Sequence, residues 1–142
     1  NVVIDNREIK KKDPSYAIST LKELIEENRE HSLVWIMGSD AFSEIDSWYK
    51  WEEFIKMVNI IVMVRPNHEI PEDSEAYKLL QKSHTIDKDS LSSGNEKVLL
   101  LKIRPIEISS TDIRDKINKG SDVSEFLLEE VNELINKRNL YQ

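Results

Sequence analysis

Apolar positions along this chain fall into two patterns. Leu33-Val34-Trp35-Ile36-Met37 is apolar at every position, Ile60–Val64 runs on from Asn59 in the same way, and Val98–Ile103, interrupted by Lys102, reads as a third buried strand. Runs this short and unbroken belong to parallel strands covered on both faces. Val2-Val3-Ile4 predicts a further short buried strand. Elsewhere the spacing is helical. Ile18, Leu21, Leu24 and Ile25 form a stripe with Lys22, Glu23, Glu26 and Glu27 opposite, which predicts an amphipathic helix of about four turns from the start signal Asp13-Pro14-Ser15 to His31. Trp48, Trp51, Phe54 and Ile55 mark a helix over 47–57, and residues 72–81 a peripheral one. Phe126, Leu127, Val131, Leu134 and Ile135 mark a last helix before Tyr141. The charged stretch 5–12 reads as a surface connection and 84–96 as a variable loop. Strand alternating with helix predicts an α/β domain over 1–142, three layers around a parallel sheet with right-handed crossovers.

Polar groups gather at the predicted strand ends. Gly38-Ser39-Asp40 follows the first long run, and in open parallel sheets ligands bind beyond the carboxyl ends of the strands. Asp40 there suits a ligand hydroxyl such as that of a ribose, or serves as the N-cap of the next helix. Arg65 emerges after Val64, because Pro66 cannot continue the ladder. Trp48 belongs to a core stripe, yet its place at a helix start also suits stacking on a flat heterocycle.

The most strongly marked segment is Ile108-Ser109-Ser110-Thr111-Asp112-Ile113-Arg114. Ser109 is a good N-cap, Asp112 completes an acidic capping box, and Gly120 supplies the stop. A helix start exposes free N–H groups and the positive end of the helix dipole, to which Ser110 and Thr111 add hydroxyls. Arg114 shares a face with Ser110 and leans back toward the same place. This is a helix start suited to an anion, or an ordinary capped helix with a solvated arginine. Asp40, Arg65 and the 109–114 turn are expected to meet on one rim.

Composition narrows the ligand. The 142 residues carry a formal charge of −7, which argues against binding nucleic acid through general electrostatics, so an anion must be held by a local pocket. There is no cysteine, hence neither disulfide nor thiolate chemistry, which fits a reducing cytoplasm. No apolar run reaches the length of a membrane span. The carboxylates show no metal-ligand spacing, and the oligomeric state is left open.

Taken in order, the Arg7-Glu8 segment, Ser15-Tyr16 leading into Thr20-Leu21, Gly38-Ser39-Asp40, Trp48 with Phe54, Arg65-Pro66 and ISSTDIR over 108–114 closely resemble the bacterial nicotinate-nucleotide adenylyltransferases of the nucleotidyltransferase superfamily. The last motif alone suits several adenylyltransferases, the phosphopantetheine enzyme included. The resemblance implies a Rossmann-like fold and adenylyl transfer from ATP to nicotinate mononucleotide, with magnesium assisting. It implies that Gly38, Asp40, Ile108, Ser109, Ser110, Thr111 and Arg114 contact ATP, with Arg114 contributing to catalysis. By the same resemblance Ser15, Tyr16, Ala17, Trp48, Tyr49 and Arg65 face the mononucleotide, Trp48 stacking on its ring and the Tyr49 backbone near its carboxylate.

Two departures stand out. Ala17 occupies a position where the family often has threonine. The family's first strand and H-x-G-H turn are missing, since His31, His68 and His84 do not have that spacing. The expectation is the C-terminal two-thirds of such an enzyme, inactive by itself, with a non-catalytic nucleotide-binding module as the alternative.

Overall fold

The computed structural model describes residues 2–64, 69–102 and 108–141. They divide into two compact units, Asn1–Ile103 and Arg104–Gln142.

The first unit is a four-stranded sheet with helices. Its strands are β1 (Val34–Gly38), β2 (Asn59–Val64), β3 (His84–Thr85) and β4 (Val98–Lys102), in the order β1-β2-β4-β3 with every pair parallel. All three predicted long strands form. In register Gly38 pairs with Met63, Met63 with Leu101, and Val64 with Lys102, so the carboxyl ends of three strands are level. Ile60, Val62 and Val98 are buried in the middle of the sheet. At the edge, β1 buries Met37, but Val34 and Ile36 on its other face are 37% and 60% exposed. In β2, Ile60 and Val62 on one face are buried while Ile61 and Met63 on the other are half-buried, so cover on both faces is partial there and fails for β1, which among the described residues has one neighbour in the sheet.

Helices α1 (Arg7–Lys10), α2 (Ala17–Glu27), α3 (Ser39–Ser43), α4 (Trp51–Met57) and α5 (Glu75–Ser83) complete this unit. Ile18 and Leu21 of α2, Phe42 of α3, Phe54 of α4, and Ala76 and Leu79 of α5 join one apolar cluster with the strands. The expected stripe of α2 is real but the helix is shorter, about three turns. It starts after Tyr16, outside Asp13-Pro14-Ser15, and closes where the Asn28 side chain donates to the Leu24 carbonyl at 2.8 Å. The expected 47–57 helix is broken. A short 3-10 turn over Ile45–Ser47 ends at Trp48, and Lys50, in the left-handed region at φ +55°, opens α4.

Three further expectations are corrected. Val2, Val3 and Ile4 form no strand and are exposed. Residues 5–12 lie largely at the surface as expected, but they contain a helix instead of a plain connection: the Arg7 guanidinium reaches Asp5 at 2.7 Å, Glu27 at 2.7 Å and Glu23 at 3.4 Å, Lys11 pairs with Glu23 at 2.7 Å, and Thr20 bonds Glu8, so α1 is fastened to α2. The 84–96 segment is likewise anchored. His84 and Thr85 pair with β4, and the buried Asn59 amide donates to the carbonyls of Leu91 and Gly94 while its oxygen accepts from the Lys97 N–H. Asn59 could not be distinguished by pattern from a strand-flanking turn residue.

The second unit contains α6 (Ser110–Asn118) and α7 (Glu129–Lys137). Val123 and Ile135 are its buried residues, while Val131 and Leu134 of the predicted stripe are exposed. Phe126 and Leu127 precede α7 rather than belong to it, Phe126 closing a 3-10 turn.

Candidate functional site

The level strand ends of the first unit define a rim, and the chain leaves β1 there through Gly38. Gly38 is the N-cap of α3, so Asp40 lies in the first turn of that helix and is not its cap. Asp40 is exposed and Ser39 fully buried, and Ser43 donates its hydroxyl to the Ser39 carbonyl at 2.9 Å. Arg65, expected at this rim, lies outside the described residues.

Two predicted contact residues far apart in sequence meet. The Tyr16 and Tyr49 rings are 4.6 Å apart between centroids at an interplanar angle of 38°, and they are 45% and 53% exposed. The backbone explains the meeting. Tyr16 has extended dihedrals as the N-cap of α2, and Tyr49 stands in the turn between the 3-10 segment and α4. Among the described residues no side chain caps α2, so its first N–H groups, beside the two rings, have no side-chain acceptor. Ser15 is exposed, its hydroxyl 3.5 Å from the Glu8 carbonyl, and Ala17 packs against the core.

Trp48 is partly buried. Its ring lies 5.5 Å from that of Phe54 and 6.4 Å from that of Trp35, edge-on to the latter. One side of the indole therefore belongs to the core, as the stripe predicts. Sequence reasoning missed Lys50, whose ammonium lies 5.4 Å from the centroid of the Tyr49 ring. Its only signal was a cation directly after Trp48-Tyr49, and the backbone that aims it is a left-handed turn no pattern announces.

In the second unit the predicted helix start forms as expected. The Ser109 N–H donates to Asp112 Oδ2 at 2.9 Å and the Asp112 N–H to Ser109 Oγ at 3.1 Å, the two halves of a capping box. Ser109 Oγ also donates to Asp112 Oδ2 at 2.6 Å. These bonds hold the Asp112 carboxyl below its ordinary range, the Ser109 hydroxyl contributing most. They also engage the Ser109 proton, so the donors left for an anion are the N–H and hydroxyl groups of Ser110 and Thr111. At the far end Gly120 adopts φ +70°, its N–H bonding the Ile117 carbonyl at 2.9 Å while Ser121 N–H reaches Lys116 at 2.9 Å, a Schellman closure. Ile108 is half-buried; Ser110, Thr111 and Arg114 are exposed. The Arg114 guanidinium carbon sits 5.7 Å from the Tyr141 ring centroid. Among the described residues no three His, Asp or Glu side chains are grouped to hold a metal ion. His31 lies in a turn four residues beyond α2, His84 in β3, and His68 outside the described residues.

A family profile described as cytidylyltransferase-like matches residues 2–116. Over 99% of its length the chain is 32% identical to a probable nicotinate-nucleotide adenylyltransferase of Aeromonas salmonicida, covering 66% of that protein. Over 94% of its length it is 34% identical to one from a Shewanella species, covering 65%. The chain thus spans just under two thirds of these curated relatives. Solved structures of a Plasmodium falciparum nicotinic acid mononucleotide adenylyltransferase, complexed with APC or with NaAD, superpose with a TM-score of 0.64 over 92% of this chain. They cover 60% and 58% of those chains at 21% identity, which shows a shared Rossmann-like nucleotidyltransferase fold. With a profile match across most of its length and relatives aligned nearly end to end, the chain belongs to the cytidylyltransferase-like family of nucleotidyltransferases.

Proposed function

We propose that the protein to which this chain belongs transfers the adenylyl group of ATP to nicotinate mononucleotide, giving deamido-NAD and pyrophosphate. The observation that carries this reading is the similarity, over 99% of the chain, to a protein named a probable nicotinate-nucleotide adenylyltransferase, since the family profile alone admits many acceptors. Local geometry supports it: an exposed tyrosine pair beside an uncapped helix start suits a pyridine ring bearing a carboxylate.

A phosphate oxygen of the mononucleotide attacks the α-phosphorus of ATP, a new P–O bond forms, the bond to the bridging α–β oxygen breaks, and pyrophosphate leaves with that electron pair. Such transfers depend on positioning and on stabilising charge rather than on a protein nucleophile. In this reading Asp40 accepts from ribose hydroxyls beside Gly38. Ser110, Thr111 and Arg114 hold the triphosphate at the α6 start, next to Ile108 and Ser109, and Arg114 stabilises charge on the departing pyrophosphate. Arg65 stands by the phosphates. Tyr16, Trp48 and Tyr49 receive the pyridine ring, and the N–H groups after Ser15 and Tyr16, at Ala17 and Ile18, meet its carboxylate. Magnesium enters with the triphosphate, whose oxygens are hard ligands of the kind it prefers.

The 142-residue chain has no pair of histidines in an H-x-G-H arrangement, which favours nucleotide binding with little turnover as its own behaviour. Calorimetric titration with ATP and with nicotinate mononucleotide, run alongside a coupled pyrophosphate assay, tests the proposal. Binding of both, with the mononucleotide not displaced by phosphopantetheine, supports it. A chain that binds neither nucleotide overturns it.

A further inference from the structure

We propose that Lys50 is a specificity residue that selects an acidic over an amide-bearing pyridine at the tyrosine pair; this rests on the function proposed above. The Lys50 ammonium lies 5.4 Å from the Tyr49 ring centroid, and Tyr49 in turn lies 4.6 Å from Tyr16. All three residues are exposed, so a flat ring laid against the tyrosines comes within reach of this cation. Among the described residues Lys50 makes no ion pair. The nearby Glu53 is already bonded to Lys22 at 2.6 Å, and that bond, before the charge of Lys50, is what holds the Glu53 carboxyl low. The ammonium is therefore available to an incoming carboxylate.

The two candidate ligands differ at one substituent. In both mononucleotides the ring nitrogen is quaternised by the ribose, so the positive ring gains equally from the electron-rich phenol faces. Only the acid carries a negative group for the lysine to attract, and Lys50 separates the two. Ala17 makes this the more useful, because the side chain at that position offers no hydroxyl. The backbone fixes the aim. At φ +55° Lys50 is left-handed, and its carbonyl accepts from the N–H groups of Glu53 and Phe54 at 3.0 Å each, so the residue is built into the start of α4.

The test compares dissociation constants of nicotinate mononucleotide and nicotinamide mononucleotide for the 142-residue chain, wild type, Lys50→Met and Lys50→Arg. Both replacements keep a Cβ at the left-handed position. The wild type is expected to favour the acid by up to about fivefold, as suits one exposed charge pair. Lys50→Met should remove most of that preference, by weakening the acid and leaving the amide unchanged, and Lys50→Arg should restore it. The wild-type preference should also shrink with added salt. Equal affinities in the wild type, or a preference that survives Lys50→Met, overturn the role of Lys50 while the proposed function stands. Failure of both mononucleotides to bind defeats the proposed function itself, and the specificity role with it.

Discussion

The Tyr16 and Tyr49 rings pack with centroids 4.6 Å apart, tilted by 38°, although one residue is the N-cap of α2 and the other precedes α4. The contact joins two helices otherwise tied at their exposed sides by the Lys22–Glu53 ion pair. An aromatic pair of this kind contributes about 0.5–1.5 kcal/mol beyond area burial, and an exposed one belongs at the lower end. A double-mutant cycle with Tyr16→Ala and Tyr49→Ala, read by urea denaturation, should return a coupling of about 0.5 kcal/mol. Either single change should also weaken nicotinate mononucleotide several-fold while leaving the far-ultraviolet circular dichroism unaltered. A coupling of zero would mean that the rings are merely adjacent.

Asn59 is the buried polar residue whose loss should be felt most. Its amide nitrogen serves Leu91 at 2.9 Å and Gly94 at 2.8 Å, and its oxygen serves the Lys97 N–H at 3.0 Å. Asn59→Leu fills a similar volume but strands three backbone groups, each costing about 1–3 kcal/mol if buried without a partner. Some will find water near the surface, so a loss of about 3 kcal/mol in urea denaturation is expected. Hydrogen exchange should quicken first at the amides of 89–97, which this side chain holds to β2.

How far the sequence reveals this molecule depends on the range of the cause. The runs at 34–37, 60–64 and 98–101 declare themselves because strands in a parallel sheet tend to carry apolar side chains at consecutive positions, even where, as at Ile36 and Leu101, one face stays exposed. The Ser109–Asp112 box is legible because it is closed within four residues. Val2–Ile4 shows the converse, since an apolar triplet says nothing about whether a partner strand lies beside it. The break at Lys50 is invisible in pattern because the stripe from Trp48 to Ile55 continues through a residue whose backbone has left the helix. The Tyr16–Tyr49 contact and the three bonds of Asn59 are set by packing between distant segments, so no local spacing could announce them. Asp40 and Ser110 lie where the strand-end and helix-start rules put them; what they hold is a matter for ligand titration.

The capping box has a pH consequence. Asp112 is ionised more readily in the folded chain than at its ordinary value of 3.8, chiefly through the Ser109 hydroxyl and then the Ser109 N–H. A carboxyl with a depressed native value stabilises the fold above the unfolded value, and that contribution is lost as the pH falls through the native one. The start of α6 should therefore stay capped throughout the neutral range and loosen only below pH 3.8. Carboxyl carbon resonances followed through an acid titration should place the Asp112 midpoint below 3.8, and Ser109→Ala should move it back up. An Asp112 midpoint at or above 3.8 in the wild type would show that the box does not survive in solution.

Arg114 offers the sharpest separation between a helix that is merely capped and one that receives a triphosphate. Its guanidinium carbon rests 5.7 Å from the Tyr141 ring centroid, within range of a cation–π contact. Charge-assisted bonds from its planar fork to phosphate are stronger than neutral ones and are lost entirely in Arg114→Ala. ATP affinity should then fall by about 30-fold, whereas Arg114→Lys, which retains the charge without the fork, should lose less. Tyr141→Leu should fall between wild type and Arg114→Ala, because it frees the guanidinium without removing it. Calorimetry at one salt concentration and magnesium level provides the comparison, and circular dichroism checks that α6 is intact. Since Ser109 and Asp112 close the cap without help from Arg114, a helix that stays folded while ATP binding drops would assign the arginine to the ligand. Unchanged ATP affinity in Arg114→Ala would leave it a solvated side chain packed on a tyrosine.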